Sequence, residues 1–211
     1  MDTPDPVESD LPEQGVPDTR REQMLLAAAE LIAERGLART RIADVAKRVG
    51  ASPALVVYYF NTKENLLIEA LRFSEAGFYQ ASEDLLRTQV TLAERLDTLV
   101  DLTLTLESKG EVRGHWGLWF DLWAEAFRHP EVAADRRQLD DQWRSLIARV
   151  VQAGMREGEI RHEIDVETFA LTWAALLDGL SVQVALGDET VTQEVAKRVA
   201  LEFARHALGL A

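Results

Sequence analysis

Thr40 to Leu67 reads TRIADVAKRVGASPALVVYYFNTKENLL, two short helical patterns separated by a tight turn and followed by the start of a longer one. Ile42, Val45, Ala46 and Val49 recur at the i, i+3, i+4, i+7 spacing of one helix face. Thr40 stands where an N-cap is expected, and Gly50 ends the run at a position that can take a positive φ. Ser52 is placed to cap the next helix, with Pro53 at its first position, where a missing N–H is no loss. That helix is expected to run through Phe60. Asn61 or Thr62 then caps a third helix starting at Lys63 and carrying Leu66, Leu67, Ala70 and Leu71. Burial of Ile42, Val45, Ala46, Val49, Val56 and Phe60 would lock the second short helix across the first. Its other face presents Pro53, Ala54, Val57 and Tyr58. Small, apolar and aromatic side chains are an odd choice for a solvated face but fit a DNA major groove. Helix N-termini at Arg41 and Ser52, with Arg39, Arg41, Lys47, Arg48 and Lys63, are suited to phosphate contacts.

Upstream, a helix over Thr19–Arg35 places Met24, Ala28, Leu31 and Ile32 on one stripe, ended by Gly36. Residues 1–18 hold four of the six prolines and few large apolar side chains, the composition of a disordered acidic tail. Downstream, helical patterns are expected near 91–108, 114–128, 131–157, 165–186 and 191–208, broken at glycines and at His129-Pro130. Strand alternation is absent throughout. The fold class is therefore all-α: an N-terminal three-helix domain with a helix-turn-helix, then a larger helical bundle, about nine helices in total.

The 211 residues carry a formal net charge of −13. Its distribution matters more than the sum. Residues 1–18 have six acids and no Lys or Arg, whereas 19–72 have nine Lys and Arg against six Asp and Glu. Only the stretch assigned to DNA is net positive. With no cysteine, neither disulfides nor thiolate metal sites are available. No uninterrupted run of about 18 apolar residues occurs, so a membrane is not expected as a partner and a cytoplasmic location is.

Residues 40–67 resemble the DNA-binding region of the tetracycline-repressor (TetR) family. The most telling part is Tyr58-Tyr59-Phe60 followed by Asn61-Thr62-Lys63-Glu64 and Leu66-Leu67. The resemblance implies DNA contacts from Thr40, Arg41, Ser52, Pro53, Ala54, Leu55, Val57, Tyr58, Tyr59 and Lys63. The family often has tyrosine at the position of Val57 and a small polar residue at that of Leu55, so base preference does not carry over there. The stretches WFDLWAEAFRHP (119–130) and AALLDGLSVQVALGD (174–188) are similar to the choline-responsive BetI subgroup. What the resemblance implies is a transcriptional repressor released from a palindromic operator by a small molecule. The expected division is 19–65 for the helix-turn-helix domain and 66–211 for ligand binding and dimerisation. Expected partners are a double-stranded DNA operator, a second copy of the chain and an unknown small-molecule effector, without cofactor or metal.

Trp116, Trp119 and Trp123 lie on one helix face with Phe120 beside them, and Trp143 and Trp173 come from other helices. Such aromatics are either core packing or the wall of a ligand pocket between helices. From Phe169 to Leu186 apolar residues nearly encircle the axis, which requires burial on two sides. Leu176, Leu180 and Val184, with Val195, Val199 and Phe203 of the last helix, are the expected dimer interface, half of an intermolecular four-helix bundle.

Enzyme readings find little support. Glu159-Ile160-Arg161-His162 has the Glu-x-x-His spacing of di-iron bundles, but once only and beside a glycine turn. Neither a G-x-S-x-G nor a phosphate-binding glycine loop is present.

Overall fold

The computed structural model describes residues 19–104, 112–128 and 130–210, with only the backbone for Thr19, Phe78, Gln80, Ala81, 112–118, Glu131 and Asp135. The acidic stretch 1–18 and residues 105–108 of the expected fifth helix lie outside the described residues. Those described form nine α-helices and no strand. The helices are α1 (Thr19–Arg35), α2 (Ile42–Arg48), α3 (Pro53–Phe60), α4 (Lys63–Arg87), α5 (Leu92–Leu104), α6 (Val112–Ala126), α7 (Pro130–Arg156), α8 (Val166–Leu186) and α9 (Gln193–Leu208). A 3-10 turn, Leu37–Arg39, links α1 to α2.

In the head, the apolar stripes of α1 to α4 close on Met24, Ile32, Val45, Val56, Phe60 and Leu66. Thr40 does not cap α2. Its hydroxyl donates to the Gly36 carbonyl at 3.0 Å, and the side chain is 1% exposed. The cap position falls instead on Arg41, whose N–H donates to the Asp44 carboxylate at 3.2 Å. Gly50, at φ 63°, reverses the chain so that the Ala51 N–H reaches the Ala46 carbonyl. Ser52 accepts from the Leu55 N–H and Thr62 from the Asn65 N–H, capping α3 and α4. Between them Asn61 sits at φ 63°, ψ −56°, with the Thr62 N–H donating to the Phe60 carbonyl across it. That is a γ-turn of the strained hand.

The head core is completed by Leu122 of α6 and Val132 and Leu139 of α7. The helix α4 runs unbroken across residues 65 and 66. Head and body therefore share apolar packing as well as a helix.

The body core packs α5, α7, α8 and α9 around Leu96, Leu99, Ile147, Trp173, Leu177 and Ala200. By length and composition α8 could cross a membrane. Here it is the central helix of the bundle, with Phe169, Trp173, Leu177 and Leu180 buried against its neighbours and Ser181 donating to the Thr103 carbonyl. Polar contacts tie the bundle's ends together: the Leu92 N–H donates to Glu159 at 2.9 Å, and Lys197 pairs with Asp97 and Asp101. Glu159 thus caps α5 from the turn after α7.

Candidate nucleic-acid interface and effector cavity

The exposed surface of the head is built on α3. Ser52, Pro53, Ala54, Val57 and Tyr58 are exposed, whereas Leu55 and Tyr59 are half-buried and packed on the head core. Thr40 is withdrawn from this set by its burial; it holds the turn before α2 and offers no surface. Arg39, Arg41 and Lys47 are exposed and Lys63 is half-buried, and none has an acidic partner among the described residues. Arg48 differs. Its guanidinium forks onto Glu34 with two contacts of 2.8 Å and touches Glu30 at 3.2 Å, holding the Glu34 carboxyl below its usual range. It clips α2 to α1 and leaves the phosphate-binding set. Arg21 braces α3 from the other side, pairing with Glu69 and lying 5.4 Å from the centre of the Phe60 ring.

In the body, α4 and α7 flank a cavity of about 770 Å³, lined by Arg72, Glu75, Ala76, Tyr79 and Glu83 of α4 and by Gln138, Leu139, Asp141, Gln142, Ser145 and Arg149 of α7. Glu75 is 5% exposed. Burial pushes its carboxyl up to about 8, against a hydrogen bond from Trp119 that favours the ionised form. The Tyr79 hydroxyl donates to the Leu139 carbonyl at 3.1 Å, and burial together with the charges of Glu75, Asp140 and Asp178 raises its pKa. Burial likewise raises Asp178 to about 6, and the neighbouring Asp140 adds to the effect. The cavity wall carries both signs of charge, Arg72 and Arg149 facing the same space as Glu75, Glu83 and Asp141, and Asp140 behind it is paired with Arg136 at 2.8 Å.

The expected aromatic pocket is only partly realised. Trp119 reaches Glu75, and Trp123 lies between Trp119 and Phe120 with ring centres about 6 Å apart. The side chain of Trp116 lies outside the described residues. Trp173 is a core residue, fully buried with its indole N–H bonded to the Ala200 carbonyl at 3.0 Å. Trp143 also packs in the body core. Glu75 was missed, although the sequence holds a signal for it. Leu67, Leu71, Glu75, Ser82 and Leu86 are buried along α4, so a carboxyl occupies a core position of a largely apolar stripe. Burying a carboxyl is costly unless something compensates it, which makes the position conspicuous.

The presumed dimer residues divide similarly. Leu180 and Val184 are 8% and 7% exposed and belong to the protomer's own core. Leu176, Val199 and Phe203 are half-buried at its edge, and Val195 is half-buried on the same helix as the last two. Exposed on α8 are instead Leu171, Ala175, Gly179 and Leu186, interleaved with Thr168, Thr172 and Gln183.

Residues 92–209 match the family profile of BetI-type transcriptional repressors, C-terminal region, and residues 24–70 match that of bacterial regulatory proteins of the tetR family. The chain belongs to the TetR family. Its BetI-type portion spans more than half of its length. The transcriptional regulator BetI of Stenotrophomonas maltophilia is 26% identical over 92% of this chain and 95% of its own. The repressor KstR2 of Rhodococcus jostii is 29% identical over 70% of this chain and 71% of its own. Among solved structures, a transcriptional regulator from Saccharomonospora viridis in complex with choline superposes with a TM-score of 0.78 at 31% identity, over 89% of this chain and 96% of that one. A TetR-family regulator from Rhodococcus sp. gives 0.77 at 26% identity, covering 90% and 98%. The chain is a DNA-binding transcriptional regulator of the repressor type and not an enzyme.

Proposed function

We propose that this TetR-family regulator acts in the cytoplasm as a homodimer, laying two copies of α3 in successive major grooves of a palindromic operator. A small organic cation entering the α4–α7 cavity releases it. Residues 19–65 form the DNA-reading head, and 66–211 bind the effector and pair the protomers. The observation that carries the reading is the exposed α3 face flanked by uncommitted Arg39, Arg41 and Lys47 on a chain of net charge −13. Phosphate contacts from those cations would position the helix, and the α3 side chains would read bases.

Support for a cationic effector comes from Glu75, Glu83 and Asp141 on the cavity wall, with Asp140 and Asp178 near enough to act on Tyr79 and Trp119 hydrogen-bonded to Glu75. Carboxylates and an aromatic face together favour an ammonium group. The relative crystallised with choline names one member of that class. Because α4 carries Glu75 in the body and begins in the head at Lys63, a shift of α4 alters the separation of the two α3 helices. Release requires that the effector bind the DNA-incompetent arrangement more tightly; affinity alone moves no equilibrium.

The test combines footprinting on the DNA flanking the gene with calorimetry using choline chloride. Salt-dependent protection of an inverted repeat, relieved by the ligand that binds, is the expected result. A ligand that binds while operator affinity stays unchanged refutes the release model.

A further inference from the structure

The eight residues of α3, Pro-Ala-Leu-Val-Val-Tyr-Tyr-Phe, include no Arg, Lys, Asn, Gln, Asp, Glu, Ser or Thr, and their only polar side-chain groups are the Tyr58 and Tyr59 hydroxyls. The usual carriers of direct readout, a guanidinium on guanine or a carboxamide on adenine, are absent from the helix placed to enter the groove. Two polar residues at its edge are tied to the backbone, although the Ser52 hydroxyl keeps its own proton to donate. The Ser52 oxygen accepts from the Leu55 N–H at 3.2 Å, and the Thr40 hydroxyl is turned inward onto Gly36. Arg39 and Arg41 precede α2 and Lys47 lies on it, off the α3 stripe. What projects from α3 is a stripe at i, i+3 and i+4: Ala54, Val57 at 42% exposure and Tyr58 at 61%. The Tyr58 ring is set edge-on against Tyr59, with centres 5.6 Å apart at 81°, and forms one rim of the stripe.

An apolar stripe still discriminates bases, because one group in the major groove is apolar: the C5 methyl of thymine. We propose that α3 recognises its operator chiefly through thymine methyl groups, with Ala54 and Val57 as the specificity-determining residues that seat at least two thymines in each half-site. This rests on α3 being the groove-entering helix, as proposed above. Val57 is 42% exposed, and a methyl–methyl contact in the groove would bury that surface.

Deoxyuridine tests the idea without touching the protein, since it removes the methyl and keeps every hydrogen-bonding group of thymine. Sites are first selected from a random duplex pool by the full-length protein. Each thymine of the selected half-site is then replaced in turn, and Kd is read by fluorescence anisotropy at fixed salt. At least two positions per half-site are expected to weaken binding about fourfold each, the value of one buried methyl group. Val57→Ala, at an exposed position that leaves the head core intact, is expected to weaken the thymine duplex while costing little further on the duplex with uracil at its position. Uracil duplexes bound as tightly as their parents, or selected half-sites whose protected steps are guanine-rich and indifferent to methyl loss, overturn methyl readout and leave the regulator reading standing. Failure to enrich any sequence overturns both.

Discussion

At the scale of single residues, two positions hold local conformations or charges that the fold has to compensate. Asn61 turns the chain between α3 and α4 at a positive φ that side chains with a Cβ rarely adopt. Asparagine tolerates such geometry better than most residues, and glycine better still. Asn61→Gly is therefore expected to fold at least as well as the parent, whereas Asn61→Val should lose about 1–3 kcal/mol, read from urea denaturation. Glu75 is the second position. Its carboxyl is pushed up to about 8 in the folded protein, from an ordinary value of 4.5. The folded state thus holds the proton that the unfolded state releases, and stability falls as pH rises from 4.5 through 8. The full penalty, on the order of 5 kcal/mol at most, is reached above the folded value. Glu75→Gln should flatten the stability profile across this window and raise the melting temperature at pH 8.5 more than at pH 4.5. An unchanged pH profile in that variant means that the carboxyl is solvated. Effector cations should also bind with release of a proton near neutral pH, because a positive charge at the cavity favours the ionised carboxyl.

At the scale of elements, the boundaries were largely legible in the sequence because they are written in local chemistry. Ser52 with Pro53, Thr62, Gly36 and Gly50 each satisfy or reverse the backbone within a few residues, and neighbours in sequence suffice to reveal this. Thr40 misled because two capping solutions compete there. Its hydroxyl took the carbonyl of Gly36 behind it, and Asp44 reached back to Arg41 in its place. Contacts between elements were not legible. The Leu37 N–H, at the start of the 3-10 turn, donates to Asp121 of α6 at 2.6 Å, across 84 residues of chain. Two residues earlier on α6, Trp119 bonds Glu75 at the cavity. That makes α6 a second strut between cavity and head besides α4. Asp121→Ala leaves the Leu37 N–H without its acceptor and should destabilise the protein by about 1–3 kcal/mol. Hydrogen exchange at Leu37 should accelerate, while Asp121→Asn, which keeps an acceptor oxygen, should largely restore protection. Equal acceleration in both variants points to packing at α6 and away from this hydrogen bond.

At the scale of the whole molecule, the sequence showed that α8 must be covered on two sides but not which side belonged to whom. Leu176, Leu180 and Val184 are as apolar as Leu171, Ala175 and Leu186, and periodicity does not distinguish a protomer's own core from a partner's face. The structure separates them, with Leu180 and Val184 buried and Leu171 and Leu186 exposed at 55% and 72%. The outward face holds exposed Leu171, Ala175, Gly179 and Leu186 with Thr168, Thr172 and Gln183 among them, flanked on α9 by half-buried Val195, Val199 and Phe203. Exposed apolar patches of this kind mark association sites. The second copy proposed above would occupy it, because two recognition helices read a palindrome only when held about one DNA turn apart. Ala175 is exposed near the middle of the face, so Ala175→Arg adds a charge to the interface without entering the protomer core. The variant is expected to sediment as a folded monomer with unchanged helical content. Its operator affinity should fall by about a hundredfold or more, since each half-site is then bound without the effective concentration that the partner supplies. Binding to a single half-site should change little. A variant that remains dimeric with full operator affinity places the interface elsewhere and leaves the exposed face of α8 without an occupant.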